Sequence, residues 1–326
     1  MAYYRVGDII RLTRKSQGLS QEELAFRAGV ATETISRIES GKHKVTQVTY
    51  KRIMESLNRF SERSYAVCSG KDVGILEEKK LLEDASVKFE QKKVQEYIND
   101  LKRKINDDKF NQQYIIRSEI MFEYQNEQVD GKTAIFKLEE ALKLTVEDYT
   151  QYLEQNSSEE SKKTYPFSEQ EILILINLAG IYDEMGQGEK AKTIFFMLLH
   201  SIRSSYIEGE AEKRIELLIK RGLARVLEGM GKYQEALILH KEILKESVDI
   251  GYGLMISLVT YDISWNMEKI NMSKGVFVYD LEDIIKKNRQ AYFFAKARND
   301  NYIAELAKNS YDKLLSEFSN SRNIEI

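Results

Sequence analysis

Apolar residues in the first sixty positions recur three and four apart, in short runs broken by small or polar residues. That period puts them on one face of a helix. Val6, Ile10 and Thr13 mark a first helix over Val6–Lys15, which Gly18 ends. Ser20 followed by Glu23 is a capping box, with serine at the cap and glutamate three residues on. It opens a second helix, Gln21–Ala28, with Leu24, Ala25 and Ala28 turned inward. Gly29 suits a tight turn at positive φ. A third helix, Thr32–Glu39, carries Ile35 and Ile38 on one face and stops at Ser40-Gly41. Thr46 caps a fourth, with Ile53 and Leu57 inside.

From Ile75 onward the runs lengthen. Helices are predicted over Leu81–Ile105, Gln112–Asn126, Thr133–Leu153, Glu169–Met185, Glu189–Ile207, Ala211–Met230, Tyr233–Asp249, Leu254–Ile270, Asp280–Ala297 and Asn301–Phe318. Between the two parts, residues 60–74 lack a clear period and hold Ser61, Ser64, Ser69, Gly70 and Gly74. The expected division is a helical head over residues 1–62, a linker over 63–74 and a larger helical domain over 75–326.

Composition supports long helices: one proline and 17 glycines in 326 residues leave few forced turns. A single cysteine, Cys68, excludes a disulfide framework and a cysteine-rich zinc site. His43, His200 and His240 form no ligand pair at helical spacing. There is no G-x-x-x-x-G-K-[ST] phosphate loop, no H-E-x-x-H and no nucleophile elbow. No catalytic residue, metal site or cofactor is therefore expected. No apolar run reaches the roughly 18 residues of a membrane span. Met1–Arg5 lacks the apolar core of a signal peptide, so a cytoplasmic protein is expected.

The net charge of −3 conceals an asymmetry. Residues 1–64 carry 12 basic against 7 acidic residues, a balance of +5; the remainder carries 37 against 45, a balance of −8. A basic module ahead of an acidic one suggests nucleic-acid binding at the basic end.

The spacing within Gln21–Ser40 suits two helices crossing steeply: Ala25 permits close approach, Gly29 makes the corner, and Val30, Ile35 and Ile38 fill the angle. That is a helix-turn-helix. Gly18-Leu19-Ser20-Gln21-Glu22-Glu23-Leu24-Ala25, Gly29-Val30 and Ile35-Ser36-Arg37-Ile38-Glu39-Ser40-Gly41-Lys42 together resemble the lambda-repressor-like family, also called the Cro/C1 or XRE type. The resemblance covers residues 6–57 and implies roles. Gln21 falls where the family meets the phosphate backbone. Thr32, Glu33 and Arg37 fall on the face that reads base edges. Thr34 and Lys42 fall where phosphates are held, and Arg14 and Glu39 align with a buried ion pair. Arginine can pair bidentately with guanine, and a glutamate can accept from the cytosine amino group. Helix capping is the other reading of Thr32 and Thr34, and a solvated charge that of Arg37. Ala31 departs from the usual capping serine, and Val45 from a common proline.

The larger domain repeats itself. Leu178-Ala179-x2-Tyr182 precedes Gly186, Ala191 and Phe195; Leu223-Ala224-x2-Leu227 precedes Gly231, Tyr233, Ala236 and His240. In each, the second alanine follows the first by twelve residues, as a close helix crossing requires. Ala134-x3-Leu138-x2-Ala141 and Ile263-Ser264-x2-Met267 look like further, partial copies. The core resembles the tetratricopeptide repeat with lengthened helices. An irregular helical bundle is the alternative. The fold class expected is all-α: a five-helix-type helix-turn-helix head, then an α-solenoid of tetratricopeptide-like helix pairs.

A head and repeats in this order resemble the cytoplasmic peptide-pheromone regulators of Gram-positive bacteria, of the Rgg and PlcR type. The resemblance implies a homodimer that binds double-stranded DNA and takes a short signalling peptide on the concave face of its repeats. Aligned on the repeat core, Asn177, Arg221, Arg225, Tyr261, Asp262 and Trp265 project toward that face. Asn177 falls where related repeats clamp a peptide backbone. Arg221 and Arg225 can hold a peptide carboxylate, and Tyr261 and Trp265 can pack an apolar side chain. The competing reading pairs the arginines with acids such as Glu216 or Glu228 and buries the aromatics. Two other functions stay open: a repressor whose repeats only dimerise or bind a protein, and a scaffold or phosphatase-like partner that does not bind DNA.

Overall fold

The computed structural model describes residues 6–16, 18–43, 45–57, 70–104, 109–146, 148–155, 165, 167–202 and 210–324. Every regular element among them is a helix.

The head comprises α1 (Val6–Ser16), α2 (Gln21–Ala28), α3 (Thr32–Glu39) and α4 (Gln47–Ser56). Its ends follow from local chemistry. Ser20 accepts from the Glu23 amide while the Glu23 carboxylate accepts from the Ser20 amide, closing the capping box that starts α2. Gly29 ends α2 at φ 61°, a left-handed conformation that glycine adopts without steric cost. Thr46 caps α4 through the Thr49 amide. Ile10, Leu24, Ala25, Ile35, Ile38, Ile53 and Leu57 then meet in one buried core. A fifth head helix would fall in residues 58–69, which lie outside the described residues, as do Cys68 and most of the expected linker.

The larger domain begins with α5 (Gly70–Val87) and α6 (Gln91–Lys104). There follow α7 (Lys109–Gln125), α8 (Gly131–Lys143), the short α9 (Thr150–Gln155), α10 (Glu169–Glu184) and α11 (Gly188–Ser201). The chain continues through α12 (Glu210–Gly229), α13 (Tyr233–Asp249), α14 (Gly253–Lys274), α15 (Leu281–Ala297) and α16 (Asn301–Ile324). Helices α7/α8, α10/α11, α12/α13 and α14/α15 pair as hairpins, and α16 packs on the last pair. The first helix of each pair also touches the first helix of the next, so α7, α10, α12 and α14 form an inner row, as in a solenoid. Ala179, Ala191, Ala224 and Ala236 are all completely buried. At Gly222 a side chain is impossible without repacking, because a β-carbon would lie 2.3 Å from the Phe195 ring.

Three sequence boundaries need correction. The linker does not extend to residue 74, because α5 already starts at Gly70. Two glycines weaken a helix by about 1 kcal/mol each, which Leu76–Leu82, rich in strong helix formers, outweighs. The helix expected over Leu81–Ile105 is two: Phe89 at φ 54° turns the chain between α5 and α6. The helix expected over Thr133–Leu153 also divides, into α8 and α9.

Candidate functional site

One end of the molecule is built around a buried ion pair. Arg14 of α1 donates from Nε to Glu39 Oε1 at 2.6 Å and from Nη2 to Oε2 at 2.8 Å. Its Nη1 donates to the Leu19 carbonyl at 2.7 Å. The hydrogen bonds to Glu39 hold the Arg14 guanidinium above its ordinary pKa, although burial opposes this. Gln21 joins the same cluster, its Nε2 donating to Glu39 Oε2 at 2.8 Å. The carboxylate at the end of α3 thus ties α1, α2 and α3 together and fixes how α3 is presented.

On the outer face of α3, Glu33 and Arg37 stand in solvent, their side chains 81% and 56% exposed, with 3.8 Å between Oε1 and Nη1. An exposed pair of that length contributes little to stability, so both groups are available to another molecule. Thr32 and Thr34 are half-buried, and Lys42 is exposed in the turn after α3. Thr32 is the first residue of α3, and Ala31 holds the cap position without a side-chain hydrogen bond.

The second candidate region lies on the inner row of the repeats. Asn177 of α10 is half-buried, and its Oδ1 is buried without a hydrogen-bond partner. Arg221 of α12 grips Asp262 of α14, Nε to Oδ2 at 2.8 Å and Nη2 to Oδ1 at 3.3 Å. Burial lowers the Arg221 pKa, but the Asp262 charge and hydrogen bond, together with the Glu228 and Tyr252 charges, raise it above its ordinary value. Neither Glu216 nor Glu228 takes Arg221: Glu216 pairs with Lys220, and Glu228 accepts from Asn266 and meets His240 Nε2 at 2.8 Å. Arg225 is exposed, and its charge acts on Asp183 and Asp262. Tyr261 and Trp265 are half-buried on α14. Trp265 meets the Tyr233 ring edge-on at 5.9 Å between centroids, with Lys269 Nζ 5.1 Å from its own centroid.

The structure thus joins Arg221 with Asp262, while Trp265 packs against Tyr233 of α13. Sequence reasoning missed Arg117 of α7, whose Nε is also buried without a partner. In sequence it follows Tyr114-Ile115-Ile116 and gives no sign that Glu83 and Glu169 act on its charge. Among the described residues, no group of three or more His, Cys, Asp or Glu could hold a metal ion, and no helix is long and apolar enough to cross a membrane.

Comparison with known proteins agrees with this division. The Helix-turn-helix family matches residues 10–62. An uncharacterized HTH-type transcriptional regulator from Methanothermobacter thermautotrophicus is 43% identical over 51 residues, which span 16% of this chain and 74% of that protein. The chain belongs to the helix-turn-helix transcriptional regulators. Beyond its head, this regulator has the fold of PlcR from Bacillus thuringiensis. The crystal structure of PlcR with the peptide PapR7 and DNA matches 94% of this regulator and 99% of PlcR, at a TM-score of 0.60 and 18% identity. The apo form of PlcR matches the same shares at a TM-score of 0.54 and 18% identity.

Proposed function

We propose that this regulator binds a palindromic DNA site as a homodimer and is controlled by a short peptide held on the inner face of its repeats. The observation that carries the reading is the union in one chain of an exposed α3 face with a repeat face bearing unsatisfied buried polar atoms. PlcR, whose fold it shares, has been crystallised with both a peptide and DNA. Gln21, Thr32, Glu33, Thr34, Arg37 and Lys42 are the proposed DNA contacts. One recognition helix reads only a few base pairs, so a dimer on two half-sites about 34 Å apart supplies the needed specificity. Asn177, Arg225, Tyr261 and Trp265 are proposed to line the peptide site, with the Arg221–Asp262 pair bracing it. The peptide regulates only by favouring one arrangement of the paired heads over another.

The test begins by selecting duplexes from a randomised pool with the full-length protein. Arg37→Ala should weaken the selected duplex by about 1–3 kcal/mol and random DNA much less. Lys42→Ala should weaken both alike and flatten the salt dependence. Equal loss on both duplexes in Arg37→Ala would remove Arg37 from base reading. Adding a pool of apolar heptapeptides should change the affinity for the selected duplex. Unchanged affinity, with no peptide retained by the protein, would favour repeats that only dimerise.

A further inference from the structure

In a solenoid each helical pair touches only its neighbours in the stack. One contact in this chain departs from that rule. Phe89, in the turn between α5 and α6, meets Tyr302, the second residue of α16, with ring centroids 4.1 Å apart and 33° between the planes. The first hairpin of the repeat domain, α5/α6, is thereby joined at its tip to the tip of α15/α16, the last. Both tips turn through a residue other than glycine in the left-handed region, Phe89 at φ 54° and Asn299 at φ 56°. Both rings stay partly in water, Phe89 44% and Tyr302 38% exposed. A pair of half-wetted rings is a modest fastening, and phenylalanine disfavours the backbone that presents it.

The rest of the α5/α6 hairpin is supported from α7. Leu82, Ala85, Val94, Ile98 and Leu101 pack with Tyr114 and Ile115 in a core of their own, distinct from the main repeat core. At the same seam Lys79 Nζ donates to Asn111 Oδ1 at 2.9 Å, and the Tyr114 hydroxyl donates to the Lys79 carbonyl at 3.1 Å. The α5 charges reach further along the inner row. Burial raises the Glu83 pKa, with Arg117 of α7 opposing and Glu169 of α10 adding to it. Burial also raises the pKa of Tyr252, at the cap of α14; Arg214 and Arg298 oppose this, and Glu83 adds to it. The hairpin is thus seated on α7, extends toward the start of α14 and is fastened at its tip to α16. It is also the part of the repeat domain that follows the head in the chain, since α4 ends at Ser56 and α5 begins at Gly70. Whatever moves α5 moves the attachment of the head.

We propose that the Phe89–Tyr302 stack is a releasable latch between the head-bearing hairpin α5/α6 and the last hairpin of the repeats, and that its latched and released forms place the paired heads differently on DNA. The latch rests on the dimeric DNA binding proposed above and requires no ligand. Its route is short: a shift of α16 reaches α5 through two rings, without passing along the intervening repeats. The core shared with α7 keeps the hairpin folded when the rings part.

Phe89→Gly and Tyr302→Ala each remove one ring from the full-length protein. Glycine adopts the positive φ found at Phe89 without steric cost, so the turn outlasts the ring. A locked form combines Phe89→Cys and Tyr302→Cys with Cys68→Ser, and a short bismaleimide joins the two new thiols; Cys68 is the only native cysteine, so no other thiol competes. Amide hydrogen exchange in α5 and α6 should accelerate at least about tenfold in both ring-deletion variants and not in the locked form, with α10 to α13 unchanged. Released and locked proteins should differ at least about fivefold in affinity for the duplex selected above, with the parent between them. Two results overturn the latch: exchange in α5 and α6 that ignores both ring deletions, or released and locked proteins that bind the selected duplex alike. A parent protein that selects no duplex would instead overturn the DNA reading, on which the exchange measurement does not depend.

Discussion

Arg14 in the head is buried and Arg117 in the repeats is half-buried, and their charges are met on different terms. Arg14 has a carboxylate across both prongs of its fork and a carbonyl on Nη1. Arg117 has an aromatic ring nearby and a buried Nε with no partner. A charge satisfied within the chain does structural work: Glu39 also collects Gln21 and so fixes three helices. Arg117 is served more loosely, by the charges of Glu83 and Glu169. Arg221 belongs with Arg14 in this comparison, although its position on the repeat core made it a candidate for ligand contact.

The sharpest way to break the comparison is to strand Arg14. Glu39→Ala removes the carboxylate from a pair whose side chains are 9% and 3% exposed. Stranding one member of such a pair costs roughly 3–5 kcal/mol. The head should lose its cooperative melt and its DNA binding together, while the repeat domain keeps its helical signal. A Glu39→Ala protein that melts like the parent but fails on DNA would make Glu39 a contact residue and dissolve the contrast with Arg117.

This pair was legible because its surroundings are punctuated. Serine and glutamate three apart, Gly29 in the turn and the Ile35–Ile38 spacing carry the family resemblance, and that resemblance aligned Arg14 and Glu39 with a buried ion pair. The repeats carry fewer such marks. Their alanine crossings were readable, but Phe89 gives no sign of a turn in sequence, since phenylalanine does not favour the positive φ it adopts there. The partner of Arg221 lies 41 residues away in the next repeat, whereas sequence reasoning looked to Glu216 and Glu228 on the same helix. The surroundings of Arg117 were unreadable for a similar reason. Whether a guanidinium is paired depends on which neighbouring helix turns an acid toward it.

A smaller effect tests Arg221 as the intermediate case. Asp262→Ala should destabilise the repeats by about 2–3 kcal/mol, less than a fully buried pair, because the Arg221 side chain remains 19% exposed. The pH dependence has a definite sign. Burial alone would raise the Asp262 pKa, but the Arg221 charge and hydrogen bond, with the His240 and Arg225 charges, together bring it below the ordinary carboxylate value. The contribution of the pair is then complete above the unfolded value of about 4 and disappears as pH falls through the lower folded value. Thermal melts of parent and Asp262→Ala should differ at pH 7 and converge in strong acid. A constant gap across that range would mean that the substitution acts through packing and not through the charge.

The smallest effect lies beside the reading face. Ala31 occupies the cap of α3 at φ −71° and ψ 143°, the extended backbone a capping serine adopts, yet offers no oxygen. The Thr34 amide turns to the Ala31 carbonyl at 2.9 Å, which satisfies that donor by a tighter turn. Thr32 does not rescue the cap, since it is already the first helical residue. Ala31→Ser needs no backbone change and should stabilise the head by about 1 kcal/mol. The gain should appear as a higher melting temperature of the head with the repeat transition unmoved. DNA affinity gives a second reading, because Ala31 is exposed next to Thr32 and Glu33. If the head gained stability and bound the selected duplex no worse, Ala31 would be a plain local defect that the Arg14–Glu39 pair has stability to tolerate. If stability rose while binding fell, the missing hydroxyl would instead leave room for the DNA backbone at the start of α3.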